Sequence, residues 1–511
     1  MTNANHIDFN INHQMGRKGA TMYDIVIIGG GPAGTTAALR ARELGASVAI
    51  VERKRLGGTC TNDGCVPTRG LAKAARLLRD SEQFSKYGIQ LSGKPTVDFA
   101  AVMERTKQVV DEVHDKKQLA AHMEQLGIAV FSDAGLAKFI DPHTLRTEHK
   151  GDISGERFVL CVGGHARELP FEGAHHAYTS STIWDLREAP ASVVIIGGGA
   201  TGCQFASVFE DFGAKVIIMD IAPRILITED DAVCDEIIAQ FNQRGIGIQT
   251  GIKSVDTIEK HENGYTLKYT DGEGNQQSLE SDLVVASVGW PGNVDHLGLE
   301  QAGVKTEKSY IVVDDHLRTS VEHIYAAGDV TGRSMLVQSA NYQARLAVEN
   351  ALLSYKQTAR ERLVPHGGFT DPEYGGVGLT EKQARESYDV VTATVPYADL
   401  DRAVIDDRRT GFCKLVVDRR DGLVLGAHVV GEHAVEIVSM ISAGMVGGLR
   451  VTQLADLELA YPTFVAIVGV AAREIAREMG AVQVAPDLRE NRPVRGAEWE
   501  RSTVASQSSQ Q

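Results

Sequence analysis

A short apolar strand, a glycine turn, a helix and a second strand ending in an acid occur twice in this chain, at one internal step. The first copy runs Tyr23-Asp24-Ile25-Val26-Ile27-Ile28, then Gly29-Gly30-Gly31-Pro32-Ala33-Gly34, an alanine-rich helical run to Gly45, and Ser47-Val48-Ala49-Ile50-Val51 closing on Glu52. The second runs Val193-Val194-Ile195-Ile196, Gly197-Gly198-Gly199-Ala200-Thr201-Gly202, and Lys215-Val216-Ile217-Ile218-Met219-Asp220. From first glycine to terminal acid the step is 23 residues in each copy. A lone glycine cluster is weak evidence, but strand, glycines, helix, strand and acid in that order specify a βαβ dinucleotide unit. In it the glycines let a pyrophosphate approach the helix N-terminus, and the acid takes a ribose hydroxyl. An α/β chain with two dinucleotide sites is therefore predicted. Asp220 would accept from a free 2′-hydroxyl and repel a 2′-phosphate, so the second site favours NAD over NADP. Arg224, four residues on, is the one nearby group that would act the other way by reaching a phosphate.

Just beyond the first unit lies Gly58-Thr59-Cys60-Thr61-Asn62-Asp63-Gly64-Cys65-Val66-Pro67-Thr68. On an ideal helix, residues five apart stand roughly 8 to 9 Å from each other, whereas a disulfide needs Cα atoms closer than about 7 Å. Pairing Cys60 with Cys65 thus requires a distorted helix, and Asp63-Gly64 is the breaker that would supply it. Spacing alone leaves a metal pair or two unconnected thiols open. The adjoining dinucleotide unit favours a redox-active pair beside a flavin.

With these features the stretch from about Tyr23 to Ala481 resembles the flavoprotein disulfide reductases, which include dihydrolipoamide dehydrogenase, glutathione reductase and mercuric reductase. Thr319-Ser320-Val321-Glu322-His323-Ile324-Tyr325-Ala326-Ala327-Gly328-Asp329 resembles their second flavin motif. Val162-Gly163-Gly164 and Ser287-Val288-Gly289 resemble the crossovers between cofactor domains, and Phe369-Thr370-Asp371-Pro372-Glu373 with Val377-Gly378-Leu379-Thr380-Glu381 resembles the start of a dimerisation domain. The resemblance implies FAD bound by Gly29, Gly31, Gly34, Glu52, Gly58 and Thr59, with Gly163, Gly328 and Asp329 joining from the later segments. It implies NAD at Gly197, Gly199, Gly202, Asp220 and Gly289. Cys65 would be the flavin-facing charge-transfer thiol and Cys60 the interchange thiol.

The fold implied is α/β, with two Rossmann-type dinucleotide-binding domains and a C-terminal α+β dimerisation domain. Residues 22–175 and 296–356 would form the FAD-binding domain, 176–295 the NAD(P)-binding domain and 357–482 the dimerisation domain. Residues 1–21 and 483–511 read as disordered tails, the second rich in Arg, Glu, Ser and Gln. Within the first segment, 98–126 reads as one long amphipathic helix and 128–161 as a β-meander.

Departures from the family cluster where acid–base chemistry is expected. In disulfide-reducing members a His-Pro near the C-terminus, with Glu five residues after the His, comes from the partner subunit to serve the interchange thiol. Here the segment is Leu459-Ala460-Tyr461-Pro462-Thr463-Phe464-Val465-Ala466, and no histidine follows His433. Tyr461 replaces the imidazole and Ala466 the acid; a phenol is a poor base near neutrality. Mercuric reductases also have a tyrosine in this region, together with a vicinal cysteine pair at the extreme C-terminus, but no cysteine follows Cys413 here. Beside the flavin, the family's lysine is Arg69 and its glutamate partner is Gln204. Arginine keeps the positive charge that favours a reduced flavin anion, as a planar fork in place of a point charge.

The function expected is an FAD-dependent NAD(P)H oxidoreductase, homodimeric, with a redox-active Cys60–Cys65 pair, passing electrons to a small-molecule acceptor: a disulfide, a soft metal ion, or a quinone or oxygen taking electrons from the flavin. Dihydrolipoamide dehydrogenase proper and a slow-turnover redox sensor are the alternatives. With 511 residues the chain has room for about three domains. No run approaches about 18 consecutive apolar residues, so no membrane span is predicted, and the polar N-terminus lacks the apolar core of a signal peptide. A net charge of −15 argues against nucleic-acid or anionic-membrane partners. Of six cysteines four are scattered singly, which suits a reducing compartment, and a cytoplasmic enzyme is expected. No metal site is assigned.

Overall fold

The computed structural model describes residues 22–360, 363–481 and Trp499. Apart from Trp499, the tails 1–21 and 483–511 lie outside the described residues.

Ile25–Ile28 is the middle strand of a five-stranded parallel sheet ordered Ile324–Ala326, Phe158–Leu160, Ile25–Ile28, Val48–Val51, Ala129–Phe131. All four of its side chains are buried, as a sheet covered on both faces requires. Ile25 and Ile27 pack with Val48, Ile50 and the alanines of helix α1 (Pro32–Glu43), while Val26 and Ile28 pack with Phe158 and Phe139 on the opposite face. Each such isoleucine contributes about 1.5 to 3 kcal/mol by leaving water. The edge strand Ile324–Ala326 comes from far along the chain, so the Gly328-Asp329 turn opens at the same carboxyl edge as the Gly29 turn.

Beyond Val48–Val51 come α2 (Gly58–Asn62), α3 (Cys65–Asp80), α4 (Phe99–Lys117) and α5 (Leu119–Gln125). The single helix expected over 98–126 is thus two. Asp98 caps its start by accepting from Ala101 N, and Gln118 at φ 42° breaks it. The expected meander is partial: Ala137–Asp141, Thr144–Thr147 and Gly151–Gly155 pair antiparallel, but Ala129–Phe131 and Phe158–Leu160 belong to the parallel sheet.

The second unit repeats the design as a parallel sheet ordered Gly247–Thr250, Lys215–Asp220, Ser192–Ile196, Leu283–Ala286, with α6 (Ala200–Asp211) and α7 (Asp231–Gln243). A three-stranded antiparallel sheet, Ser254–His261, Gly264–Thr270 and Gln276–Ser281, is inserted before its last strand. The C-terminal region is a five-stranded antiparallel sheet from His366–Gly368 to Val424–Val430, packed with helices Ala434–Val446 and Ile467–Glu478. An ionic cluster fastens the far end of α3 to both neighbours: Arg79 pairs with Asp371 and, at 3.6 Å, with Asp211, which also takes Arg244 at 2.6 Å.

Candidate active site

The two glycine turns are built alike. A Cβ on Gly34 would stand 1.7 Å from the Gly29 oxygen, and one on Gly202 would stand 2.0 Å from that of Gly197, so only glycine lets helix and strand meet this closely. At the middle positions the space is open: a Cβ on Gly199 would meet nothing within 4 Å, and one on Gly31 only the Gly58 Cα at 3.6 Å. Neither α1 nor α6 has a side-chain cap or an acid in its first turn. Both N-termini therefore suit a phosphate.

Each terminal acid braces its own turn. Glu52 accepts from Gly30 N at 2.7 Å and Lys54 N at 2.8 Å; Asp220 accepts from Gly198 N at 2.7 Å and Ala222 N at 2.8 Å. Both acids are half-buried at the ends of their strands, beside the glycine turns they brace. Arg224 is turned away from that position, paired with Asp231 at 3.1 Å and Asp235 at 2.7 Å.

The two crossovers run side by side. Asn293 N donates to Gly163 O at 3.0 Å, Arg167 N donates to Gly289 O at 3.1 Å, and the Asn293 amide ties Val162 O and Gly164 O. Gly328, at φ 82°, donates its N–H to buried Gln343 at 2.8 Å. Asp329 follows it, accepting from Trp290 Nε1 at 2.9 Å, and burial pushes its carboxyl up. Trp290 and Gln343 carried no sequence signal, because their roles exist only once distant segments meet.

The helix between the cysteines is broken as pairing requires. Helix α2 ends at Asn62, and Asp63 and Gly64 leave helical geometry before α3 begins at Cys65. A Cβ on Gly64 would lie 2.8 Å from Thr59 O. Trp184 Nε1 fixes the break by donating to Asp63 O at 2.8 Å. The Cys60 and Cys65 thiols lie within hydrogen-bonding reach of each other. The Cys60 thiol is pushed up, first by this bond, then by burial and the Cys65 charge, with Lys117 acting against them. Cys65 is lowered to about 7, first by the bond from Cys60, with help from its own N–H at the start of α3, while burial and Asp329 oppose it. Of the two, Cys60 is the thiol that favours keeping its proton and Cys65 the one that favours giving it up.

At both departures an acid comes from another segment. Arg69 is not left without an acid by Gln204: its guanidinium lies 3.0 Å from Glu373 and 4.3 Å over the Phe369 ring. Nor does Ala466 leave Tyr461 without a carboxylate, since the phenol donates to Asp401 Oδ2 at 2.7 Å.

Residues 23–344 match the pyridine nucleotide-disulphide oxidoreductase family, and residues 364–480 match that family's dimerisation domain. The chain belongs to this family. It is 31% identical over 470 residues to the dihydrolipoyl dehydrogenase of Bacillus subtilis, covering 89% of this chain and 98% of that protein. It is 32% identical over 463 residues to the mercuric reductase of Staphylococcus aureus, covering 90% and 82%. Among solved structures it resembles the HOCl-induced flavoprotein disulfide reductase RclA of Escherichia coli, with a TM-score of 0.79, 30% identity and coverage of 88% and 99%.

As a pyridine nucleotide-disulphide oxidoreductase the chain is an enzyme that uses FAD and NAD(P)H. The glycine turns, helix N-termini and paired carboxylates described above fit both cofactors. Among the described residues, no His, Cys, Asp and Glu cluster could hold a metal ion, and no helix is long and apolar enough to cross a membrane.

Proposed function

We propose that this chain is an NADH-dependent flavoenzyme that passes electrons through Cys60 and Cys65 to a small-molecule acceptor, without the His-Glu base of its disulfide-reducing relatives. The observation that carries this is the pair of thiols brought together where the helix breaks at Asp63 and Gly64, beside the first glycine turn. When bound, FAD supplies the exchange between hydride from the nicotinamide and the electron pair of the dithiol. The chain's own residues set where that exchange ends. Cys65 is held on α3 near Asp329, and Cys60 holds a proton that it must give up to attack an acceptor and can return to a leaving group.

In this proposal residues 22–175 with 296–356 hold FAD, 176–295 hold NAD and 357–482 form the contact of a homodimer working in the cytoplasm. The dimer would bring Tyr461 of one protomer to the interchange thiol of its partner. There the phenol oxygen, its proton given to Asp401, is presented as an acceptor for a thiol or a ligand for a soft metal ion. Steady-state NADH consumption across disulfides, soft metal ions and quinones tests the reading. Rapid turnover with one class that is lost in both Cys60→Ser and Cys65→Ser supports it, and turnover indifferent to both cysteines contradicts it.

The nucleotide preference gives a separate prediction. With Asp220 placed for a ribose and Arg224 engaged by two acids, NADH is expected to reduce the flavin more efficiently than NADPH. Stopped-flow reduction checks this. NADPH better by about tenfold, roughly 1.4 kcal/mol of transition-state preference, would contradict the placement of Asp220.

A further inference from the structure

We infer that Glu373 is the counter-charge of Arg69 and, with Phe369, sets the electrostatic field that FAD meets from α3. The inference rests on the reading above that α3 carries the flavin-facing thiol. Arg69 lies four residues beyond Cys65, one turn along the same face of α3. Gln204, on α6, is neutral and spends its amide elsewhere: Nε2 donates to Ala200 O at 2.9 Å, and Oε1 accepts from Phe369 N at 3.3 Å. One turn further along α6, Ser207 Oγ accepts from Asp371 N at 3.0 Å. Helix α6 thus grips the backbone of 369–371 at two points and delivers the segment to Arg69.

What the segment delivers is a matched seat for a guanidinium. The Phe369 ring lies 4.3 Å below Arg69 Cζ, inside the range of about 6 Å for a cation over an aromatic face. Glu373 Oε1 lies 3.0 Å from Arg69 Nη1, and its other oxygen, Oε2, accepts from Val435 N at 3.4 Å. The Glu373 side chain is 11% exposed and that of Arg69 50%, so the acid is the fixed member and the arginine the movable one. Burial and the neighbouring Glu436 push the Glu373 carboxyl up, and Arg69 offsets them in part. An arginine can use ring face and carboxylate together; a lysine would lose the planar fit.

The compensating acid therefore comes from the segment that opens the C-terminal domain, not from the nucleotide-domain helix. A guanidinium neutralised by a fixed carboxylate offers less stabilisation to the negative charge that bound FAD gains on reduction. Glu373 is a positioning residue in this sense, acting through Arg69.

The test is the midpoint potential of FAD in the purified holoenzyme. Glu373→Gln, which keeps shape and removes charge, is expected to raise the potential by about 30 mV, a tenfold change in the two-electron equilibrium. Arg69→Met is expected to lower it, and adding Glu373→Gln to Arg69→Met to shift it little further, because burial favours a neutral Glu373 once the guanidinium is gone. If Glu373→Gln does not retain FAD, Glu373→Asp, which draws the carboxylate back, carries the test with a smaller rise. An unchanged potential in the FAD-loaded variant, even with lowered thermal stability, overturns the inference and leaves a merely structural pair. Equal, additive shifts from the two residues overturn it as well. Absence of FAD from the wild-type protein would instead overturn the reading on which it rests.

Discussion

Replacing Cys65 with Ser will abolish the long-wavelength thiolate-to-flavin absorbance that anaerobic NADH produces in the wild-type holoenzyme, and replacing Cys60 with Ser will preserve it. The expectation follows from the division of labour between the thiols. Cys65 is lowered to about 7 and Cys60 is driven the other way, so near neutral pH the pair's charge favours the residue at the start of α3. A serine at 60 still offers a hydroxyl to that thiolate; a serine at 65 offers no thiolate at all. The sign with pH is fixed. A lowered thiol is charged above its own pKa, so the wild-type absorbance should grow as pH rises through about 7 and fade below it. The two thiols titrate as a pair, and the apparent midpoint belongs to both. Survival of the absorbance in Cys65→Ser would overturn the assignment.

The second large effect concerns disulfide acceptors. General acid–base catalysis is worth about 10² to 10⁴ in rate, and by its resemblance to the family this chain is expected to carry Tyr461 in place of the imidazole. Stopped-flow reduction by NADH should therefore be fast, and the following reaction with lipoamide or glutathione disulfide slow by about that factor relative to disulfide-reducing relatives. The Tyr461–Asp401 bond changes what a single substitution can do. Sequence reasoning expects Tyr461→His to recover little, because Ala466 supplies no acid. With Asp401 in hydrogen-bond reach of position 461, Tyr461→His is expected to regain part of the rate, and Asp401→Asn in that background to remove the gain. Wild-type turnover of either disulfide at a rate ordinary for the family would show a different base at work and favour dihydrolipoamide dehydrogenase activity.

The parts of this molecule that read plainly from sequence are those whose physics is local. The paired glycine turns are legible because Gly34 must clear the Gly29 oxygen five residues away, and Gly202 that of Gly197. The break between the cysteines is legible because Asp63 and Gly64 interrupt a helix that a disulfide could not otherwise span. The split of the 98–126 helix was not, since Gln118 in a left-handed conformation carries no glycine or proline to mark it. Replaced partners were the least legible. Glu373 reaches Arg69 across 304 positions and Asp401 reaches Tyr461 across 60. Loss of an acid at its customary position shows in the sequence; its replacement from another segment shows only in three dimensions.

The central claim, that Cys60 and Cys65 form a redox couple reached through the flavin, is tested most directly by anaerobic titration of the oxidised holoenzyme with NADH. The wild-type protein is predicted to take up one electron pair more than the Cys60→Ser/Cys65→Ser double variant, with the long-wavelength absorbance appearing before the flavin itself is bleached. Equal uptake by both proteins, with bleaching from the first addition, would contradict it.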